Sequence, residues 1–279
     1  MKTHKLFCTI LLAFLLTSCA SSFYQVYQAS PSDKIALKDN MLVYEDGNCS
    51  VSYNLWGEGG DMGFIIFNKT DKNIYLNLEE SFFVFNGMSY NYFRDRVFTS
   101  SIKTGASSSH GTTASVAVTG LNLLDLIQSK KISSTNNVDI LTSSENSISY
   151  KEEKIVIIPS RTSKAITEYC INKSIYRDCA LLKFPTEKQI KTLTFTKAES
   201  PIVFSNRLAY TVEQSDQLIK FENEFYVSNI TNYPKNKITE SKYDTYCDQV
   251  STTKKLYFKN VSPDKFYIQY TKGIDELKH

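Results

Sequence analysis

The sequence predicts a mainly β protein, an antiparallel β-sandwich interrupted by one long flexible insertion rich in serine and threonine. Three observations predict it. Short apolar or alternating runs recur with turn residues between them, at roughly the 8–12-residue spacing of a sandwich or barrel. Aromatic residues are 13% of the chain, with 18 tyrosines and 17 phenylalanines, and such side chains favour strands and fill sheet-on-sheet cores. The stretch 99–149 departs from both patterns, since it holds no aromatic residue and no proline. At 279 residues the chain is long enough for one large core, and 42% hydrophobic against 22% charged residues excludes a wholly disordered chain.

Residues 1–18 read MKTHKLFCTILLAFLLTS. Lys2, His4 and Lys5 form a basic start, and 6–16 is an apolar run of 11 residues. That run is shorter than the ~20 residues of a membrane-spanning helix and has the form of a secretory signal peptide. Leu16-Thr17-Ser18-Cys19 follows and resembles the bacterial lipobox, in which an aliphatic residue and two small ones precede the lipid-bearing cysteine. The resemblance implies cleavage before Cys19, a diacylglycerol on its thiol, and acylation (palmitate) of the new amino terminus. Several acyl chains give the stable anchoring that one chain does not. Ala20 and Ser21 follow with no aspartate, as in Gram-negative lipoproteins sorted to the outer membrane. No acidic cluster follows the cysteine, which favours the periplasmic face over the cell surface. Removing 1–18 takes away Lys2 and Lys5 and leaves thirty basic residues against 29 acidic ones. Such a balance excludes a nucleic-acid partner, which needs a basic excess.

Residues 19–40 are mixed and polar and are expected to tether the domain to the membrane. The first part of the sandwich, 41–98, opens with a strand at 41–45. At 51–56, Val51, Tyr53 and Leu55 alternate with Ser52, Asn54 and Trp56, the period of a half-buried strand. Apolar runs at 63–68, 74–78 and 82–85 follow, and Asn86-Gly87 is a two-residue hairpin signal before a strand at 88–93. Within the insertion, 114–118 is expected as a strand and 121–127 (LNLLDLI) as a short amphipathic helix. The runs 107–109 and 133–137 are expected as flexible loop. The second part of the sandwich, 150–272, begins with a buried strand at 154–159 that Pro159 ends. Further strands are expected at 163–169 (or a helical turn there), 191–197, 202–212, 219–227, 256–258 and 266–270. In 219–227, Ile219, Phe221, Phe225 and Val227 oppose Lys220, Glu222 and Glu224, with Asn223 the exception to the apolar face. The remainder, 273–279, is a polar tail.

Of six cysteines, Cys8 lies in the signal segment and Cys19 is the lipid site, leaving Cys49, Cys170, Cys179 and Cys247. An even number in an exported chain suggests disulfides; three pairings are open, and buried free thiols are the alternative. Cys170–Cys179 would close a short loop, for about 2–3 kcal/mol, and Cys49–Cys247 would then tie the start of the domain to its end. No metal site or cofactor is expected. There is no CxxC, and the histidines beyond the signal segment are only His110 and His279.

The apparent catalytic constellations have structural explanations. Ser107 and Ser109 flank His110 in GASSSHG, outside the strand-to-helix elbow of a hydrolase nucleophile. The Ser-x-x-Lys matches Ser100/Lys103, Ser251/Lys254 and Ser262/Lys265 are as many as chance supplies. Gly57, Gly59 and Gly63 read as a hairpin turn, not a nucleotide loop. Glu79/Glu80, Glu152/Glu153 and Glu222/Glu224 read as solvated strand faces and turns, not the facing pair of a glycosidase. Aromatic strands offer stacking platforms for sugars, but the ordinary use of such residues is core filling, and Trp56 is the only tryptophan.

The lipobox together with NKTDKNIYLNLEESFFVFNG (68–87) and IVIIPS (155–160) resembles a group of Bacteroidetes-type outer-membrane lipoproteins. The strand pattern resembles the immunoglobulin-like β-sandwiches of exported bacterial proteins. The resemblance implies that fold and location and brings no catalytic residue. The expected function is a membrane-anchored lipoprotein acting as a non-enzymatic binding or envelope-assembly module. Its partners are the membrane through the lipid on Cys19, and another envelope protein or a glycan. Two alternatives stand beside it: a surface-exposed binder of glycan or host protein, and a hydrolase whose acid residues meet only in the fold.

Overall fold

The computed structural model describes residues 21–103 and 145–273. The signal segment with Cys8 and Cys19, His110, the stretches 107–109, 114–118, 121–127 and 133–137, and the tail from 274 lie outside the described residues. The chain divides into two units, Met1–Arg94 with Glu153–His279, and Asp95–Glu152.

The larger unit is mainly β, and its named strands pair antiparallel. Its first sheet has nine strands. The main path runs β11 (Ile155–Ile158), β6 (Ile74–Asn77), β14 (Val203–Val212), β15 (Ile219–Pro234), β1 (Ser22–Pro31) and β18 (Lys265–Thr271). β7 (Phe82–Phe85) and β6 follow one another along one edge of β14, against 204–207 and 210–212. β8 (Met88–Asn91) pairs with β7, and β13 (Thr192–Thr194) with β15. A second sheet has five strands in the order β12 (Ser163–Ile166), β5 (Phe64–Asn68), β4 (Cys49–Tyr53), β3 (Met41–Glu45) and β2 (Ile35–Lys38). A helical turn, α1 (Lys235–Ile238), leads from β15 into a two-stranded ribbon of β16 (Thr239–Tyr246) and β17 (Gln249–Phe258).

One apolar core serves both sheets. Tyr27, Phe204, Phe225 and Phe266 enter it from the nine-stranded sheet, and Val51, Tyr53 and Ile66 from the five-stranded one. Tyr27 stacks on Phe266 with ring centroids 4.6 Å apart, and Phe204 on Phe225 at 5.3 Å. Each such buried ring contributes about 1.5–3 kcal/mol. The alternation expected at 51–56 is the burial pattern of β4, where Cys49, Val51 and Tyr53 point inward. Asn223, the polar exception in β15, is itself fully buried. Its amide donates to the Tyr53 hydroxyl at 2.7 Å, so a strand of one sheet is hydrogen-bonded to a strand of the other. Asn206, directly opposite Asn223 across the β14–β15 ladder, accepts from the Tyr92 hydroxyl at 2.7 Å.

Four expectations are corrected. Residues 19–40 are not simply a tether: 22–31 is β1, which lies between β15 and β18, and 35–38 is β2. Its glutamines and serines disguise a core strand. Phe23, Tyr24, Tyr27 and Ala29 are buried, and buried Gln25 donates to Asn232 at 2.8 Å and to the Tyr176 carbonyl at 3.0 Å. The strand at 154–159 is half-buried, since β11 lies at a sheet edge with Ile155 and Ile157 exposed. The ribbon of β16 and β17 was not anticipated before 256, because its exposed strands lack an apolar face. No disulfide is present among the described residues: Cys49, Cys170, Cys179 and Cys247 are free thiols there. Cys49 is sealed in the core beside Asp46, whereas Cys247 is exposed at the turn of the β16–β17 ribbon.

The described residues of the smaller unit form a second ribbon. β9 (Val97–Lys103) pairs along its length with β10 (Glu145–Lys151). Ion pairs of Arg96 with Glu152 and of Lys151 with Asp95 close its base. The described ends of the insertion are therefore paired strands, and the unit begins and ends a few residues outside 99–149.

Candidate functional site

Within the larger unit, a cleft of about 540 Å³ is bounded by β7, β8 and the segment that follows β12. Phe83, Phe85, Tyr90 and Tyr169 supply aromatic surface, and Arg94, Glu168, Asn172 and Lys173 supply polar groups. Local sequence explains the first wall. Asn86 and Gly87 adopt φ of 46° and 83°, the left-handed pair of a tight hairpin. This turn sets Tyr90 directly opposite Phe83, with rings 6.1 Å apart.

The second wall rests on the glycine-rich segment. Gly59 and Gly60 have φ of 77° and 75°, and their carbonyls accept from Asn172 at 2.8 Å and Ile171 at 3.0 Å. Met62 donates to the Tyr169 carbonyl at 3.0 Å. A Cβ on Gly60 would lie 2.7 Å from Ile171 Cδ1 and 2.9 Å from Phe266 Cγ. These glycines therefore serve a close backbone crossing, not the hairpin that the sequence suggests.

Tyr169 is held from several sides. Its ring stacks on Phe83 at 5.0 Å, meets Tyr92 edge-on at 5.2 Å, and lies 6.3 Å from Tyr90. Its hydroxyl donates to the Asn91 carbonyl. The Arg94 guanidinium sits 4.9 Å from its ring centre, and Arg94 pairs with Glu168 at 3.5 Å. Tyr90 remains 38% exposed and offers its ring to solvent. A rigid aromatic platform with an arginine, a carboxylate, an amide and a lysine at its rim has the chemistry to match a ligand with an apolar face and several hydroxyls. Beneath it, Asp61 forms an isolated bridge with Cys170 and accepts from the Gly63 N–H at 2.7 Å. Burial raises the Asp61 carboxyl, and the Gly63 bond offsets part of that rise.

The sequence-derived candidates are distributed elsewhere. Glu79 pairs with Lys154 at 2.9 Å, Glu152 with Arg96, and Glu224 with Lys197. Glu80 and Glu222 do border one depression of the sheet surface, with Arg207 and Lys220 between them. Lys220 pairs with Glu80 at 2.8 Å and Arg207 with Glu222 at 3.0 Å. Each carboxylate of this depression is thus held in an ion pair. The Ser251 hydroxyl donates to the Thr253 carbonyl within β17 and the Ser262 hydroxyl to Asp264 in its turn, not to Lys254 or Lys265. Cys49 is inert: burial, then Asp46, drives its thiol far above the usual range. Of the cysteines singled out, Cys170 alone borders the cleft. Tyr90, Arg94 and Tyr169 were not singled out from the sequence. The available signal was the aromatic run Tyr90-Asn91-Tyr92-Phe93 ending in Arg94, just after a hairpin turn. Comparison with protein-family models, with curated proteins and with solved structures finds no match for this chain.

Proposed function

We propose that this chain is a bacterial envelope lipoprotein, anchored by lipid on Cys19, whose β domain binds a glycan without transforming it. The observation that carries the proposal is the platform formed by Tyr169 with Phe83 and Tyr90, rimmed by Arg94 and Glu168. A sugar ring has a C–H face that stacks on such a surface and hydroxyls that reach the rim. The cleft volume of about 540 Å³ lies in the range of ligand sites, roughly 300–1,000 Å³. Preorganisation supports the same reading, because the Tyr169 ring is fixed before any ligand arrives. Two sheets around one core support a β-sandwich, and an immunoglobulin-like topology is part of the proposal. The lipobox at 16–19 supports the outer membrane as the location, on its periplasmic face.

The test is affinity electrophoresis of the protein against soluble envelope and plant polysaccharides, with Tyr169→Ala and Arg94→Ala variants. The expected result is retardation by at least one polysaccharide, weakened tenfold or more in Tyr169→Ala. No retardation by any, or retardation unchanged in both variants, overturns the glycan reading. Fractionation of cells producing Cys19→Ala tests the anchor: the variant is expected in the soluble fraction or uncleaved, and normal membrane retention refutes the lipid.

A further inference from the structure

A second depression lies elsewhere in the larger unit, where α1, the end of β17 and the start of β18 meet. It is small, about 110 Å³, and is lined by Trp56, Tyr233, Lys237, Lys259, Asn260 and Lys265 with Val26 and Ile238 as its apolar floor. At ~15 Å³ per water-sized sphere, this admits one tetrahedral oxyanion and a few waters. Three lysines border it: Lys237 on α1, Lys259 just after β17 and Lys265 at the start of β18. Lys237 is paired with Glu187 at 2.9 Å. Lys259 donates to the Asn236 carbonyl at 3.2 Å, a neutral acceptor. Lys265 has no ion pair among the described residues, and the adjacent Asp264 is engaged by Gln28 and Ser262. Lys259 and Lys265 are both half-buried, so their charge is partly stripped of water; the Glu187 carboxylate that pairs with Lys237 also attracts Lys259 from beyond ion-pair distance, and it is one negative charge for three lysines. None of the three lies over an aromatic face among the described residues, although Trp56 borders the same space.

We propose that this depression binds a phosphate-bearing group. The balance of the wall is two cations in excess, and an anion of matching charge relieves their mutual repulsion. Lysines converging from separate elements present point charges to a tetrahedral oxyanion, whereas a planar carboxylate is better matched by the fork of an arginine. The apolar side formed by Trp56, Val26 and Ile238 leaves room for the carbon that bears the phosphate. Trp56 is held edge-on to Phe258 and tilted to Tyr267, both at 5.2 Å, which fixes that side of the site. The site is independent of the aromatic cleft and shares no lining residue with it.

Trp56 is the only tryptophan of the chain, so in the folded protein its fluorescence reports from this depression. The experiment titrates the full chain with inorganic phosphate at constant ionic strength made up with chloride. In parallel it uses vesicles of phosphatidylcholine with and without phosphatidylglycerol. A saturable Trp56 response to phosphate assigns a free phosphate compound. A response to phosphatidylglycerol vesicles alone assigns a lipid headgroup. In either arm Lys265→Gln and Lys259→Gln, made singly and checked by near-ultraviolet circular dichroism, are expected to weaken the response at least fivefold. No response in either arm, a response equal to that of chloride, or a response retained in both variants overturns the proposal.

Discussion

Gly60→Ala isolates the close backbone crossing that supports the cleft. Gly60 has φ of 75°, and an added Cβ meets Ile171 Cδ1 at 2.7 Å and Phe266 Cγ at 2.9 Å. Two costs add. Holding an L-residue in the left-handed region costs about 1–2 kcal/mol. Overpacking a filled core costs about 1–3 kcal/mol more, because Phe266 is fully buried and stacked on Tyr27 and cannot retreat. The sum is about 2–5 kcal/mol. Two other glycines separate the terms. Gly87 has φ of 83° but open space around its Cβ, so Gly87→Ala carries the strain alone, about 1–2 kcal/mol. Gly47 has neither a left-handed φ nor a neighbour within 4 Å, so Gly47→Ala is expected to be neutral or stabilising by about 0.4–1 kcal/mol. Urea denaturation followed by Trp56 fluorescence measures all three, provided the slope with denaturant is unchanged. A Gly60→Ala loss no larger than that of Gly87→Ala would refute the claim that crowding by the Ile171 and Phe266 side chains at this crossing is what the glycine relieves.

Asp61→Asn tests the half-buried carboxyl under the cleft. Burial raises its folded pKa above the ordinary 3.8, so the native state holds that proton more tightly than the unfolded chain. The associated stabilisation is complete below the ordinary value and is lost as pH rises through the folded value. Asparagine keeps an acceptor for Gly63, so Asp61→Asn should gain stability over the wild type as pH rises from below 4 towards neutrality, and the gain should then level off. A pH-independent difference in urea midpoints, or one of opposite sign, would argue against burial as the cause. Replacing 95–152 by a short glycine-serine linker should leave a cooperatively unfolding domain. Phe93 donates to the Leu78 carbonyl at 3.2 Å, and Leu78 donates to the Lys154 carbonyl at 2.9 Å, so the two stumps already flank one residue. A broad, non-cooperative thermal transition in the replacement would mean that 95–152 supports the larger unit.

Alternation and turn chemistry made much of the β architecture legible. Val51 and Tyr53 point inward, Asn86-Gly87 makes its hairpin, and β14, β15 and β18 fall where apolar runs predict them. These features depend on neighbours two to four residues away, which a linear pattern records. The resemblance of 16–19 to a lipobox rests on the same kind of short contiguous pattern. What tertiary structure decided depends on partners distant along the chain. Gln25 looks like a tether residue until Asn232 and the Tyr176 carbonyl satisfy its amide, which lets β1 enter the core. Gly59 and Gly60 look like a hairpin turn until the backbone at 171–172 crosses them. Cys49 and Cys247 look like a pair until one is sealed against Asp46 and the other is placed at a ribbon turn. Both candidate sites are of this kind: Tyr90 and Tyr169 lie far apart in sequence, as do Trp56 and Lys265. Local periodicity determined that strands form and which face of each is apolar. Satisfaction of buried polar groups and the sharing of one core by two sheets decided which strands meet, and so where the clefts open.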